Sequence, residues 1–177
     1  MNKLLENDQI LLRAVEPEDL EILYVWENDT DLWKFGSTTA PLSRFALREY
    51  IVHAQQDIFE VKQLRMMIIR KVDSQRVGII DLYDFDAFHQ KAGIGILIDK
   101  KFQQCGYATE ALSLLEQYAF VFLRLHQLYA FVPKLNVSSL KLFEKAGFIN
   151  SGVLKDWISW HYTFEDAIVM QKINSNI

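Results

Sequence analysis

The hydrophobic positions of this chain follow two periods, and each change of period marks an element. Residues 9–14 read as a first strand, after which Pro17, Glu18 and Asp19 open a helix carrying Leu20, Leu23, Tyr24 and Trp26. The polar run Glu27-Asn28-Asp29-Thr30-Asp31 breaks that helix, and residues 38–41 are a second irregular stretch. Ser43, or a residue just before it, should cap a helix through Phe45, Leu47, Tyr50 and Ile51. Residues 65–71 and 76–83 make two strands about a turn at 72–75, and residues 84–90 form a polar, aromatic loop. The apolar run 94–98, interrupted by Gly95, suits a strand buried on both faces with room for a close approach at the glycine. Ala108, Ala111, Leu112, Leu115, Ala119 and Phe122 then recur with helical spacing. A strand at 127–132, a helix after Asn136 and a hairpin with strands near 150–158 and 164–173 complete the order. This is the order of an α/β fold with a mixed sheet, in a single domain over residues 1–177.

Between the strand at 94–98 and the helix that follows lies the turn Gln103-Gln104-Cys105-Gly106-Tyr107. A strand, a glycine-bearing turn and a helix N-terminus make an anion site, because the first N–H groups of a helix lack internal partners and the dipole favours negative charge there. A P-loop requires Lys-Ser or Lys-Thr after its second glycine, and Gly106 is followed by Tyr107 and Ala108. A Rossmann fingerprint requires three spaced glycines near the first strand of its unit, and this turn has one. Both readings are rejected.

What remains, Gln-x-x-Gly-x-Ala from Gln103 to Ala108 followed by Thr109, resembles the pyrophosphate motif of the GNAT acetyltransferases, which grip coenzyme A. About thirty residues later, Asn136 to Phe148 resembles the same family's Asn-x-x-Ser-x-x-Leu-(Tyr/Phe)-x-Lys-x-Gly-Phe helix. There Asn136 or Ser138 can cap, Leu140, Leu142 and Phe143 can pack inward, and Gly147 can end the helix. The order of elements is also GNAT-like. The resemblance implies a central sheet whose fourth and fifth strands splay apart, flanked by helices, with the pantetheine arm of acetyl-CoA in the gap. It implies coenzyme contacts at the backbone of Ile96, Leu97 and Ile98, in the turn at Gln103, Gln104, Cys105, Gly106, Tyr107, Ala108 and Thr109, and on the later helix at Asn136, Ser138, Ser139, Phe143 and Lys145. The opening segment 10–20 with Trp26, and the closing segment 152–170, resemble two branches of the family. One acetylates ribosomal-protein N-termini and the other spermidine and related amines.

Composition narrows the setting. The chain has 177 residues, 50% hydrophobic and 13% aromatic, which is globular rather than disordered. No apolar run reaches the length of a membrane span, and the N-terminal Met-Asn-Lys-Leu-Leu-Glu-Asn-Asp lacks a signal peptide's apolar core. Cys105 is the single cysteine, which excludes an internal disulfide and fits a reducing cytoplasm. A net charge of −4 argues against a nucleic-acid partner and suits a cationic substrate. His53, His89, His126 and His161 show no metal-ligand spacing, so no metal is expected.

Acetyl transfer to an amine needs one group to take a proton from nitrogen and one to return a proton to the thiolate. Many members of the family carry a tyrosine in the later helix as general acid, where this chain has Phe143, and closer relatives a glutamate at the start of the fourth strand, where it has Gly93. Ser139, one turn before Phe143, is the catalytic candidate as proton donor, with a capping or coenzyme-contacting role as its alternative. Asp81, Asp84, Asp86 and His89 are candidate bases, directly or through water. Cys105 is read as a bystander at the coenzyme turn. Trp157, Trp160, His161 and Tyr162 form an aromatic cluster that is hairpin packing, a subunit contact of a homo-oligomer, or a wall of the acceptor pocket. The function expected is N-acetyl transfer from acetyl-CoA to a primary amine by direct attack in a ternary complex. The alternatives are a coenzyme-A-binding sensor or scaffold without chemistry and a structural domain that binds no coenzyme. Glu27, Asp29 and Asp31, with Asp81, Asp84 and Asp86, would suit a polyamine, whereas residues 35–39 hold no acid. A peptide N-terminus or a small monoamine stays open beside it.

Overall fold

A computed structural model describes residues 4–36 and 38–175. The first three residues of the N-terminal segment, and Ser37 in the acid-free stretch 35–39, lie outside the described residues. Strand β1 (Ile10–Ala14) is followed by a 3-10 turn (Pro17–Asp19), helices α1 (Leu20–Glu27), α2 (Thr30–Trp33), α3 (Arg44–His53) and α4 (Ile58–Val61), and strands β2 (Leu64–Arg70), β3 (Gln75–Asp86) and β4 (Lys91–Ile98). A 3-10 turn (Lys100–Phe102) leads to α5 (Tyr107–Gln117), then come β5 (Gln127–Pro133), α6 (Val137–Lys145), β6 (Ile149–Trp160) and β7 (Thr163–Ile173). The strands form a seven-stranded sheet in the order β1-β2-β3-β4-β5-β7-β6. All neighbours run antiparallel except β4 and β5, which α5 connects as the crossover a parallel pair requires.

Alternation along β2 shows why the sheet is covered on both sides. Met66 and Ile68 join one core with Leu112 and Leu115 of α5 and Phe143 of α6. Met67 and Ile69 join a second with Leu23 and Trp26 of α1 and Leu47 and Ile51 of α3. An antiparallel sheet sandwiched this way reads as continuous apolar runs instead of alternation.

The parallel pair is short. β4 and β5 meet only at Lys91↔Gln127, Ala92↔Leu128 and Gly93↔Tyr129. Beyond that point β4 stays bonded to β3 as far as Ile98, and β5 stays bonded to β7 as far as Pro133. The facing edges from Ile94 and Ala130 onward therefore part, giving the splayed α/β sheet expected. The cleft opens toward the C-terminal ends of both strands, where α5 and α6 begin.

Several local expectations change. Residues 84–86 belong to β3: Asp84 turns through a left-handed backbone (φ 48°), after which Phe85 re-enters the core at 3% exposure. Phe122 stands in solvent because Tyr118–Phe122 forms a π turn, with the Leu123 N–H bonded to Tyr118 O at 3.0 Å. The extra residue rotates the helical face away from the core. The short helix α2 starts in the polar break 27–31, and α4 lies in a stretch for which the sequence predicts no element. Each is held by an aspartate cap, Asp29 accepting from the Asp31 N–H and Asp57 from the Phe59 N–H.

Candidate active site

The turn expected to hold the coenzyme sits at the mouth of the cleft. Asp99 accepts a bond from the Lys101 N–H at 2.9 Å and another from Trp26 Nε1 at 2.8 Å, tying the end of β4 to α1. Gln103 Nε2 reaches back to Ile98 O at 3.2 Å, and the exposed Cys105 Sγ to Gln103 O at 3.4 Å. Gln104 (φ 61°) and Gly106 (φ 87°) are both left-handed, and Gly106 opens α5 with no side chain capping it. A Cβ on Gly106 would meet nothing within 4 Å, so the glycine answers to its φ and to the open space before it, not to crowding. The Tyr107 ring packs edge-on with Phe102, centroids 6.5 Å apart, and the Arg70 guanidinium lies 4.8 Å over the Phe102 ring. The first-turn N–H groups of Tyr107, Ala108 and Thr109, which have no partner within the helix, are the polar face of the turn.

Across the mouth, Asn136 resolves the open choice of cap: its side chain accepts from the Ser139 N–H at 3.1 Å, and Ser138 is exposed. The other end of α6 is a Schellman closure. The Phe148 N–H bonds Phe143 O and the Gly147 N–H bonds Glu144 O, each at 3.0 Å, with Gly147 at φ 87° and the Phe143 and Phe148 rings 5.0 Å apart. Phe143 is therefore a core residue at 2% exposure, Ser139 is half-buried and Lys145 exposed. A pocket of ≈ 360 Å³ lies between Lys34 and Phe35 on one side and Asn136, Val137, Ser138 and Glu165 on the other.

The third wall comes from β3. Antiparallel register sets Asp81 opposite Gly95 and Tyr83 opposite Gly93. Both glycines are crossed by the larger partner: a Cβ at 95 would stand 3.5 Å from Asp81 Oδ2, and one at 93 only 2.3 Å from the Tyr83 ring. Position 93 is thus closed to a glutamate because Tyr83 already fills it. Arg65 Nε and Nη2 grip Asp81 at 2.7 and 2.9 Å, and Nη1 grips Glu27 at 2.6 Å. All three side chains are at most 16% exposed. Two carboxylates on one guanidinium leave a unit of negative charge against the open stretch of β4. Burial pushes the Asp81 carboxyl up, with Arg65 pulling the other way, and the same pairing keeps Arg65 charged. Burial also pushes Tyr50, whose ring lies 5.2 Å from the Arg65 guanidinium, up to about 12.

The remaining candidates lie apart. Asp86 accepts from the His89 N–H at 2.9 Å in the β3–β4 turn, beyond the closed end of the cleft, and Asp84 is exposed. Asp29 and Asp31 are paired with Lys100 at 2.9 and 3.3 Å. Of the aromatic cluster, Trp157 reaches Phe131 of β5 at 6.2 Å, while Trp160 and His161 pack on each other at 4.6 Å and Tyr162 is fully exposed at the hairpin tip. Arg65 and Tyr83 carried no motif. For Tyr83 the signal was the two-residue spacing of Asp81 and Tyr83 mirrored by Gly93 and Gly95, visible only once the hairpin register is known, and Arg65 had none.

A family model described as an acetyltransferase (GNAT) domain matches residues 9–149. The chain belongs to the GNAT acetyltransferases. It is an acyltransferase that takes its acetyl group from acetyl-CoA. It is 26% identical over 165 residues to the spermidine N(1)-acetyltransferase of Escherichia coli K12, covering 91% of this chain and 84% of that one. It is 24% identical over 169 residues to that of Vibrio cholerae, covering 96% and 95%. The crystal structure of the Vibrio cholerae spermidine N-acetyltransferase in complex with CoA and spermine superposes with a TM-score of 0.84 at 25% identity, covering 96% and 98%. Among the described residues no group of three or more His, Cys, Asp or Glu could hold a metal ion, and no helix is long and apolar enough to cross a membrane.

Proposed function

We propose that this GNAT protein acetylates a primary amine by direct attack of nitrogen on acetyl-CoA bound in the cleft. The observation that carries the reading is the parting of β4 and β5 onto the uncapped N-terminus of α5. The pyrophosphate would lie on the N–H groups of Cys105 to Thr109, with Gln103 and Gln104 beside it. The pantetheine arm would run back along the β4 edge that faces away from β3, from Ile98, whose carbonyl Gln103 holds, past Leu97 to Ile96, as a strand added to an open edge.

α6 would cover the arm from the other face. It starts at the mouth after Pro133 and ends where Ile149 pairs with Gln171, itself level with Tyr129. Asn136 and Ser138 then stand with the pyrophosphate, Ser139 with the arm, and Phe143 nearer the thioester as apolar packing. Lys145 is exposed in the last turn, about 13 Å along α6 from Asn136 and so at the end away from the pyrophosphate. This placement supports Ser139 as a coenzyme contact over Ser139 as proton donor. The amine would enter on the α1 and α3 face, its ammonium drawn to the uncompensated charge of Glu27, Arg65 and Asp81. Asp81 is the base of choice because it lies over Gly95 and burial raises its affinity for a proton.

Turnover of acetyl-CoA with spermidine, an alkyl monoamine and an alanine-terminated peptide tests the reading. An N-acetylated product from at least one of them is expected. Coenzyme binding without turnover on any amine would point to the sensor instead.

A further inference from the structure

We infer that the Tyr83 hydroxyl is the proton donor to the leaving thiolate, supplied from β3 in place of the helix tyrosine that Phe143 replaces. This rests on the acetyl-transfer reading above. The placement comes from register and contact. The Tyr83 ring lies on Gly93, whose Cβ would stand 2.3 Å from Cε2 and Cζ and 2.8 Å from the hydroxyl oxygen. The hydroxyl thus points past β4 toward β5, where it meets the backbone of Phe131, and the ring packs edge-on to Tyr129 with centroids 6.1 Å apart. Gly93↔Tyr129 is the last pair joining the two strands. The hydroxyl therefore sits at the first opening of the cleft.

The direction of the coenzyme brings the reacting sulfur there. With the pyrophosphate at α5 and the arm running from Ile98 toward Ile96, the thioester end faces Gly95 and Gly93. Ser139 lies on the wrong side of that point. It precedes Phe143 by one helical turn toward the mouth, which at 1.5 Å per residue is about 6 Å. Phe143 has no proton to give and is committed to Phe148.

The bound ammonium first gives one proton to bulk water, leaving the neutral amine. The amine nitrogen attacks the thioester carbonyl carbon and forms the C–N bond. As the C–S bond breaks, its electron pair stays on sulfur, which takes the proton of Tyr83. The nitrogen sheds its own proton to Asp81, and that proton returns to the tyrosinate through water. The charged and titratable groups around Tyr83 are Asp81 and Asp84 on its own strand and Tyr129 from β5. Burial, with those neighbours adding to it, keeps the phenol protonated at neutral pH.

Tyr83→Phe keeps the ring on Gly93 and Tyr129 and removes only the hydroxyl. The expected result is a fall in kcat of about 100-fold or more with KM for acetyl-CoA within about threefold, the range for loss of a general acid. Ser139→Ala, measured beside it, should hold kcat and raise KM for acetyl-CoA. A Tyr83→Phe enzyme with kcat within threefold of wild type overturns the inference, as does one whose main loss is acetyl-CoA affinity. A large kcat loss confined to Ser139→Ala would overturn it and make the serine the donor. A wild-type protein inert toward every amine removes the transferase reading and this inference with it, whereas an active wild type with unimpaired Tyr83→Phe removes this inference alone.

Discussion

Asp19 is fully buried and still charged. It takes bonds from Arg13 at 2.7 and 2.9 Å, from Arg76 Nε at 2.7 Å and from the Glu16 N–H at 2.9 Å. Burial alone would raise its carboxyl, but these donors outweigh it and hold the group below the usual carboxylate range. A lowered folded value means the stabilisation is present above the unfolded value of about 3.9 and is lost as pH falls through the folded one. Asp19→Asn should cost about 1–3 kcal/mol at neutral pH, less than for a fully buried pair because Arg13 and Arg76 are 23% and 36% exposed. Its stability should also vary less with pH below about 4 than that of the wild type, as urea titrations would show. Gly106 is the corresponding residue at the turn before α5, the proposed coenzyme site. Gly106→Val places a β-branched side chain at φ 87° in front of the α5 N-terminus, so the dissociation constant of acetyl-CoA should rise at least tenfold, about 1.4 kcal/mol. Calorimetry giving an unchanged constant in a folded variant would remove this turn from the coenzyme site.

Among elements, the β3–β4 hairpin makes the sharpest demand. An alanine at 93 would press its Cβ into the Tyr83 ring, so Gly93→Ala should destabilise the protein by about 1–3 kcal/mol. Removing the ring should relieve it. In a double-mutant cycle, Gly93→Ala in a Tyr83→Ala background should be close to neutral, and additive losses would show that the two residues do not share the space. The same hairpin marks the limit of what the sequence made legible. Helix faces, both caps of α6 and the glycine turn could be read because each is a local pattern with a local cause: Asn136 caps three residues ahead and Gly147 closes what it follows. The pairing of Asp81 with Gly95 and of Tyr83 with Gly93 is set by strand register, and the grip of Arg65 on Glu27 links residues 38 positions apart. Neither has a local signature. Phe122 departs from the face its spacing predicts for a related reason, since periodicity assumes one helical repeat and the π turn inserts another.

For the whole molecule, charge and topology act together. Asp29 and Asp31 hold Lys100, and Asp86 caps a turn, so several acids that a polyamine could have used are already engaged. The unbalanced Glu27, Arg65 and Asp81 group still presents negative charge to an incoming ammonium. Screening acts over about 8 Å at physiological ionic strength, so KM for spermidine should climb with salt more steeply than KM for a monoamine. Equal slopes would show that only the reacting ammonium is recognised. The cleft itself makes the most direct demand. If coenzyme and amine meet in the gap between β4 and β5, both must be bound before chemistry, and the exposed Cys105 at the mouth takes no acetyl group. An initial-rate matrix in acetyl-CoA and the best amine should give reciprocal lines that intersect, with no CoA released in the absence of amine. Parallel lines and a burst of CoA on mixing enzyme with acetyl-CoA alone would contradict the account, because they would require a covalent acetyl-enzyme in place of direct transfer.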